Sequence, residues 1–374
     1  MIKFLELTLG EDAADVRAAI ARVVARGWFI LGPELEAFEQ EFAVASGAPH
    51  AIGVGSGTDA LSLALRAVGI GPGDEVITSP LSAAYSALAI VMAGARPVFA
   101  DIDPDRFTLD PRAAAAAVTS KTAAIMPVHI YGQAADMTEL TGVARRHNLA
   151  VLEDCCQAHA ATCEGRPVGS FSAAAAFSFY PTKNLGALGD AGAITTSDGA
   201  VADRAKRLRN GGQTRKYEHS EFGVNSRLDE MQAAILRARL RFLPQWTGTR
   251  RALARSYRAS LANVDTIVVP PERDAGHVYH LFPVLSSVRD AMQHHLREAG
   301  VETLIHYPIP IPQQRAMAGE RPADCPIAAR VCAEVFSLPL HPRLSDADVE
   351  TVADALARGP RTERREQRAE VSGQ

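Results

Sequence analysis

Between Ala51 and about Thr196 the chain alternates two patterns. Short apolar runs read as strands: Ala51 to Val54, Val76 to Thr78, Ala150 to Leu152, and Ala173 to Phe179. Stretches with apolar residues at helical spacing, such as Thr58 to Val68, lie between them. Repeated strand–helix units predict an α/β fold, a mainly parallel sheet with helices on both faces. That prediction constrains function as well as fold. Open α/β sheets bind ligands at the carboxyl ends of their strands. The residues just beyond each run are therefore where chemistry is to be sought.

One turn beyond Phe179 stands Lys183, in Tyr180-Pro181-Thr182-Lys183-Asn184. Lysine is scarce: Lys3, Lys121, Lys183, Lys206 and Lys216 are the only ones among 39 lysines and arginines. A lysine kept at a strand end points to a use for its amine, because arginine can hold an anion but forms no Schiff base. A surface lysine after a strand is the plain alternative. The run ending at Leu152 leads into Glu153-Asp154-Cys155-Cys156-Gln157-Ala158-His159. Asp154 there suits the protonated ring nitrogen of pyridoxal 5′-phosphate (PLP), whose cationic ring acts as an electron sink. Capping the next helix is the other reading. The third strand end, Gly53-Val54-Gly55-Ser56-Gly57-Thr58-Asp59-Ala60, opens a helix whose first amides attract phosphate. It also reads as an ordinary strand-to-helix turn. Gly55, Gly57 and Ala60 match a loose dinucleotide fingerprint, which needs an acid at the end of the next strand. Asp74 and Glu75 precede that strand and Ser79-Pro80 end it, which ranks nicotinamide binding below PLP.

Taken in order, these stretches resemble the sugar aminotransferases of the DegT/DnrJ/EryC1/StrS group, from about Ile30 to Val349. The likeness also runs through Gly73-Asp74-Glu75-Val76-Ile77, Pro97-Val98-Phe99-Ala100-Asp101-Ile102-Asp103 and Gly223-Val224-Asn225-Ser226-Arg227-Leu228-Asp229. It ends with His306-Tyr307-Pro308 and Leu338-Pro339-Leu340-His341. The resemblance implies the PLP-dependent transferase type I fold. A large domain with a mainly parallel sheet covered by helices would span 1–245, and a smaller C-terminal α+β domain 246–360. It implies that Lys183 is the Schiff-base lysine and proton carrier, and that Asp154 is the ring-nitrogen partner. Gln157 would lie near the ring hydroxyl, while Ser178 and the amides of Gly57 and Thr58 would take the phosphate. Asn225 would reach the phosphate from the other subunit of a homodimer. His306, Tyr307 and Arg227 would face substrate.

The reaction implied is transfer of an amino group, with glutamate as donor, to a nucleotide-linked keto-deoxysugar, 3-keto favoured over 4-keto. Lysine at 183, where some relatives carry histidine and dehydrate, argues for transamination. Two positions depart from the family pattern. Ala83 stands where an aromatic residue usually covers the cofactor ring, which leaves Tyr85 as the candidate cover. Gly211-Gly212 follows Arg209-Asn210 where relatives often carry a bulkier residue. Other readings remain: a catalytically silent PLP-binding regulatory homologue, an aminotransferase of a keto-cyclitol, and a nicotinamide oxidoreductase.

The net charge of −4 argues against a broad nucleic-acid surface. No apolar run is long enough to span a bilayer, and the first residues do not read as a signal peptide, so a cytoplasmic enzyme away from membranes is expected. The irregular placing of Cys155, Cys156, Cys163, Cys325 and Cys332 suggests reduced thiols. Adjacent Cys155 and Cys156 suit small buried residues better than a metal site. Helices are expected at Asp15 to Arg26, Glu34 to Ala45, Ser226 to Leu243, Arg250 to Leu261, Arg289 to Ala299 and Asp346 to Ala357, with a strand near Tyr279 to Leu285. The arginines of Ser226 to Leu243 read as a solvated face or a partner contact. His129 and His159 read as structural at least as readily as functional. Residues Arg361 to Gln374 mix Arg and Glu without apolar anchors and read as a disordered tail.

Overall fold

The computed structural model describes residues 1–317 and 324–360; the expected tail, 361–374, lies outside them. A seven-stranded sheet forms the centre. From one edge its strands are His50–Val54, Gly192–Thr196, Ala174–Ser178, Ala150–Asp154, Thr122–Met126, Glu75–Thr78 and Arg96–Phe99. Gly192–Thr196 runs antiparallel to both neighbours, and the other pairings are parallel. Side chains alternate between the faces of a strand, and here both faces are covered. Ile77, Ile125, Val151, Ala175 and Phe177 enter one core. Val76, Ala124, Met126, Leu152, Ala176 and Ile194 enter another on the opposite face. This explains why the strands read as continuous apolar runs.

The C-terminal part pairs Phe282–Leu285 antiparallel with Val335–Leu338. Leu253, Tyr257, Met292, Leu296, Val349 and Leu356 from three helices pack there around Phe282 and Phe336. Those helices are Leu243–Ser260, Arg289–Glu298 and Asp346–Ala357. The last agrees residue for residue with expectation. The segment Thr303 to Ile305 makes only an isolated bridge, Leu304 with Ser337.

The region Ser226 to Leu243 needs correction. Its helix is Glu230–Leu240, with the Asp229 side chain accepting from the Gln232 amide. Ser226 stays outside and binds the Gly55 amide at 2.9 Å and Asp59 Oδ2 at 2.8 Å. Pro244 opens the next helix, Leu243–Ser260, where a missing N–H costs nothing. The 245/246 boundary expected from sequence falls inside that helix. Of the arginines at the end of Glu230–Leu240, only Arg241 stays exposed, beside Asp15; the other two turn inward to acids. Arg237 pairs with Glu34 and Glu41, and Arg239 with Asp12.

Two buried acids hold the N-terminal helices in place. Glu230 accepts the amides of Gly32, Glu34 and Leu35 at 2.8–2.9 Å, capping Pro33–Ser46 from almost two hundred residues away. Glu34, 2% exposed, receives Arg22, Arg26 and Arg237. Hydrogen bonding from Arg22 first, opposed by burial and aided by Arg237, pulls its carboxyl down to about 2. A depressed carboxyl contributes stability above its unfolded value, lost as pH falls from about 4.5 towards 2. Glu34→Gln is expected to lower unfolding stability by about 2 kcal/mol at pH 7, less than for a fully buried pair because Arg22 and Arg26 are partly exposed. Denaturant titrations should show this difference shrinking through that acid window.

Candidate active site

A shared direction puts the carboxyl ends of four strands on one edge of the sheet. Asp154 ends Ala150–Asp154, and Ser178 ends Ala174–Ser178. The helix Gly57–Ala67 begins just past His50–Val54, and the turn with Ser82 follows Glu75–Thr78. A cleft of ≈ 600 Å³ opens there. Gly57, Thr58, Tyr85, Asp154, Gln157, Ser178, Lys183 and Tyr307 all line it. Eight of the eleven expected site residues therefore converge from distant parts of the chain.

Asp154 is 4% exposed. Its Oδ1 accepts the Cys156 amide at 3.1 Å, and its Oδ2 accepts the Ser86 hydroxyl at 2.7 Å. Neither Ser86 nor Ser82, which contacts Ser86 at 3.2 Å, was expected. Gln157 Oε1 accepts the Tyr131 amide at 2.7 Å, and its Nε2 donates to the Tyr307 hydroxyl at 3.0 Å. The amide is thus held by both ends, and one N–H of Nε2 has no acceptor among the described residues. Burial, opposed by the Gln157 hydrogen bond, pushes the Tyr307 phenol up to about 12, so it stays protonated at neutral pH.

Lys183 is half-buried, and its backbone amide closes a turn onto Tyr180 O at 2.8 Å. Its Nζ has no hydrogen-bond partner among the described residues. Burial lowers the ammonium below its ordinary value, against the opposing pull of Cys156 and Asp154. Histidines around it are held neutral. Burial first, then the charge of Lys183, pushes His159 down to about 3 and His306 to about 4. His280 is also pushed well down by burial and Lys183. A low-dielectric surround without competing protonated imidazoles favours the neutral form of the amine.

The opposite end of the cleft suits an anion. The amides of Gly57 and Thr58, at the start of an eleven-residue helix, have no acceptor among the described residues. A side chain at Gly57 would put its Cβ 2.6 Å from Ser178 Cβ and 3.1 Å from Cys156 Sγ. Only glycine lets the helix terminus sit this close to the Ser178 strand. Asp59 faces away, with Oδ2 engaged by Ser226 Oγ. The donor set therefore fits a phosphate, and the cleft between it and Asp154 fits an aromatic ring.

Three expected residues lie outside this lining. Asn225 is exposed and bridges Asn210 along the backbone. Arg227 donates to Asn210 Oδ1 at 3.3 Å. His306 stands beside Tyr307 but bonds Ser337 Oγ through Nδ1 at 3.0 Å and stacks on Phe4. Tyr85 is 61% exposed at the cleft mouth, opening the helix Tyr85–Met92.

His129, Glu153 and Cys155 also cluster, all buried. Their donors and acceptors are spoken for. His129 Nδ1 accepts the Ala135 amide, so Nε2 carries the proton towards Glu153 at 3.1 Å. Glu153 also takes the amides of Gly169 and Phe171 and the Ser172 hydroxyl. Burial pushes the Cys155 thiol well up, which keeps it protonated and a poor ligand. This network ties the 169–172 loop to the sheet beneath Asp154, and His129 is structural.

Comparison with known proteins supplies the remaining finding. The model of the DegT/DnrJ/EryC1/StrS aminotransferase family matches residues 11–357. The dTDP-3-amino-3,4,6-trideoxy-alpha-D-glucose transaminase of Streptomyces venezuelae is 47% identical over 360 residues, covering 95% of each chain. The dTDP-3-amino-3,6-dideoxy-alpha-D-galactopyranose transaminase of Aneurinibacillus thermoaerophilus is 46% identical, covering 96% of this chain and 99% of its own. The crystal structure of S. venezuelae DesV in complex with a ketimine intermediate superposes with a TM-score of 0.92 at 47% identity, covering 95% of this chain and 97% of that one. The type I fold expected from sequence is the fold observed.

Proposed function

Because this chain belongs to the DegT/DnrJ/EryC1/StrS family of PLP-dependent aminotransferases, we propose that it transfers an amino group from glutamate to a nucleotide-linked 3-keto-deoxysugar at the cleft described above. The observation that carries this reading is the convergence of Lys183, Asp154, Gln157 and the Gly57–Thr58 amides on one cavity. The 3-amino sugars in the names of two transaminases 46–47% identical to this chain support the 3-keto substrate.

When bound, PLP supplies an aldehyde that condenses with amines and a ring that withdraws electrons from an adjacent C–H bond. Lys183 Nζ would hold the aldehyde, and Asp154 the ring nitrogen. Gln157 would face the ring hydroxyl with its spare N–H. Ser178 and the Gly57 and Thr58 amides would hold the phosphate, helped by the positive end of the helix. Freed Lys183 Nζ is the base that takes the donor's Cα proton and carries it within the cleft. Its lowered proton affinity favours that role. Tyr307, kept protonated, offers its hydroxyl to substrate, with neutral His306 beside it. Tyr85 covers one face of the ring site from the cleft mouth. We read two lobes, 1–245 and 246–360, joined through the helix Leu243–Ser260, with Tyr307 the second lobe's contribution to the cleft lining.

The working unit in this reading is a homodimer. Asn225 and Arg227 stand outside the cleft of their own chain, and Phe222 beside them is 96% exposed. An exposed phenylalanine of that kind suits a partner contact, and the same contact would carry Asn225 to the partner's phosphate site. None of the described helices is long and apolar enough to cross a membrane.

Borohydride reduction of the loaded protein, followed by digestion, is expected to fix the cofactor on the peptide containing Lys183. Amine formation is expected from glutamate with a 3-keto nucleotide sugar and much more slowly with the 4-keto isomer. A label on another peptide would overturn the site. Preference for the 4-keto sugar would overturn the substrate but not the site.

A further inference from the structure

We propose that Ser86, backed by Ser82, is a positioning residue that fixes which way the Asp154 carboxylate faces; this rests on the cofactor reading above. The two Asp154 oxygens are held differently. Oδ1 is held by the Cys156 amide two residues on, a contact its own loop provides. Oδ2 is held by Ser86, 68 residues earlier, on a helix that follows a different strand. The 2.7 Å separation is that of a hydroxyl donating to an ionised oxygen, among the stronger hydrogen bonds a side chain makes.

The direction of the chain follows from proton counting. Ser86 has one hydroxyl proton, and a carboxylate only accepts. That proton is spent on Asp154, so in the 3.2 Å contact between the two serines Ser82 is the donor. The order is Ser82 to Ser86 to Asp154. All three are nearly buried, at 4%, 2% and 4% exposure, and all three line the cleft. A serine inside a helix ordinarily returns its hydroxyl to a carbonyl one turn back. Ser86 instead turns away from its own helix towards the acid. An aspartate pinned at one oxygen only can rotate; pinned at both, it presents a fixed edge to the ring. Each oxygen keeps a lone pair for that edge.

The consequence is electrical as well as geometric. A positive ring nitrogen lowers the proton affinity of a nearby amine-derived nitrogen by like-charge repulsion. A carboxylate that is less well aimed leaves less charge on the ring and raises that affinity. The test is the pH titration of the near-visible absorbance band of the PLP-loaded protein, with cofactor affinity measured alongside. Ser86→Ala is expected to move the titration midpoint upward and weaken cofactor binding about tenfold, the scale of one lost hydrogen bond to a charged group. Ser82→Ala is expected to move the midpoint the same way, by less. Ser86→Thr, which keeps the hydroxyl, is expected to restore both readouts. Removal of one oxygen leaves little cavity, so the apoprotein should still fold, melting below the wild type because a buried carboxylate oxygen loses its donor. A midpoint unmoved in Ser86→Ala, with Lys183 still labelled by borohydride, overturns this inference alone. Failure of the wild type to label at Lys183 overturns the cofactor reading and this inference with it.

Discussion

Lys183→Ala is expected to abolish both half-reactions, a loss of at least about 10⁴-fold, while leaving the fold intact. In the proposed mechanism one side chain carries two duties: holding the cofactor and moving the proton. Each alone is worth orders of magnitude in rate, and no neighbour can take over. The nearby imidazoles of His159, His280 and His306 are held down first by burial, which the substitution does not remove. Stability should change little, because Nζ holds no hydrogen bond among the described residues and the backbone turn to Tyr180 survives the change. Lys183→Arg separates charge from amine. It restores the positive charge without a nucleophile, and it should be as inactive as alanine. Single-turnover spectra with glutamate, then with the keto sugar, check both. Appreciable turnover by either variant would remove Lys183 from the mechanism.

Asp154→Asn should lower turnover by about 10³-fold, the scale of removing one partner from a buried charged contact. The substitution keeps the shape of the side chain. Its amide oxygen can still take the Cys156 N–H, and its NH₂ can donate to the Ser86 oxygen, so the loop need not move. What disappears is the negative charge at a 4% exposed position at the floor of the cleft. In the proposed reading the ring nitrogen would then lose its counter-ion and the electron sink would weaken. The loss should fall on kcat, with KM for the nucleotide sugar nearly unchanged, because Asp154 lies away from the cleft mouth where the sugar enters. A variant whose KM rises while kcat holds would place Asp154 in substrate binding instead.

The inner part of the site was legible from local pattern. Lys183, Asp154, Ser178 and Gly57 each lie within a few residues of a strand end. Strand ends are visible as the close of an apolar run. The helix starting at Gly57 was legible for the same reason, since glycine and serine at its opening are local signals. The boundary error at Ser226 came from apolar spacing that continues upstream of the true start. Ser226 is drawn out of the helix by Gly55 and Asp59, about 170 residues away in sequence. Pro244 opens the next helix because a first turn needs no N–H from its residue there.

The order of strand and helix and the side of the sheet on which chemistry gathers followed from periodicity and turn chemistry, and the roles expected of the residues there from the family resemblance. Which groups steady them did not. Ser86 reads in sequence as one small residue of an apolar helix, and Glu34 and Glu230 as ordinary helix-surface acids. Each acquires its role from a partner far along the chain: Asp154 for Ser86, Arg237 for Glu34, and the Gly32–Leu35 amides for Glu230. Periodicity reports which way a side chain points along its own element. Burial and pairing depend on which element is folded against it, and that is fixed only when the whole sheet closes.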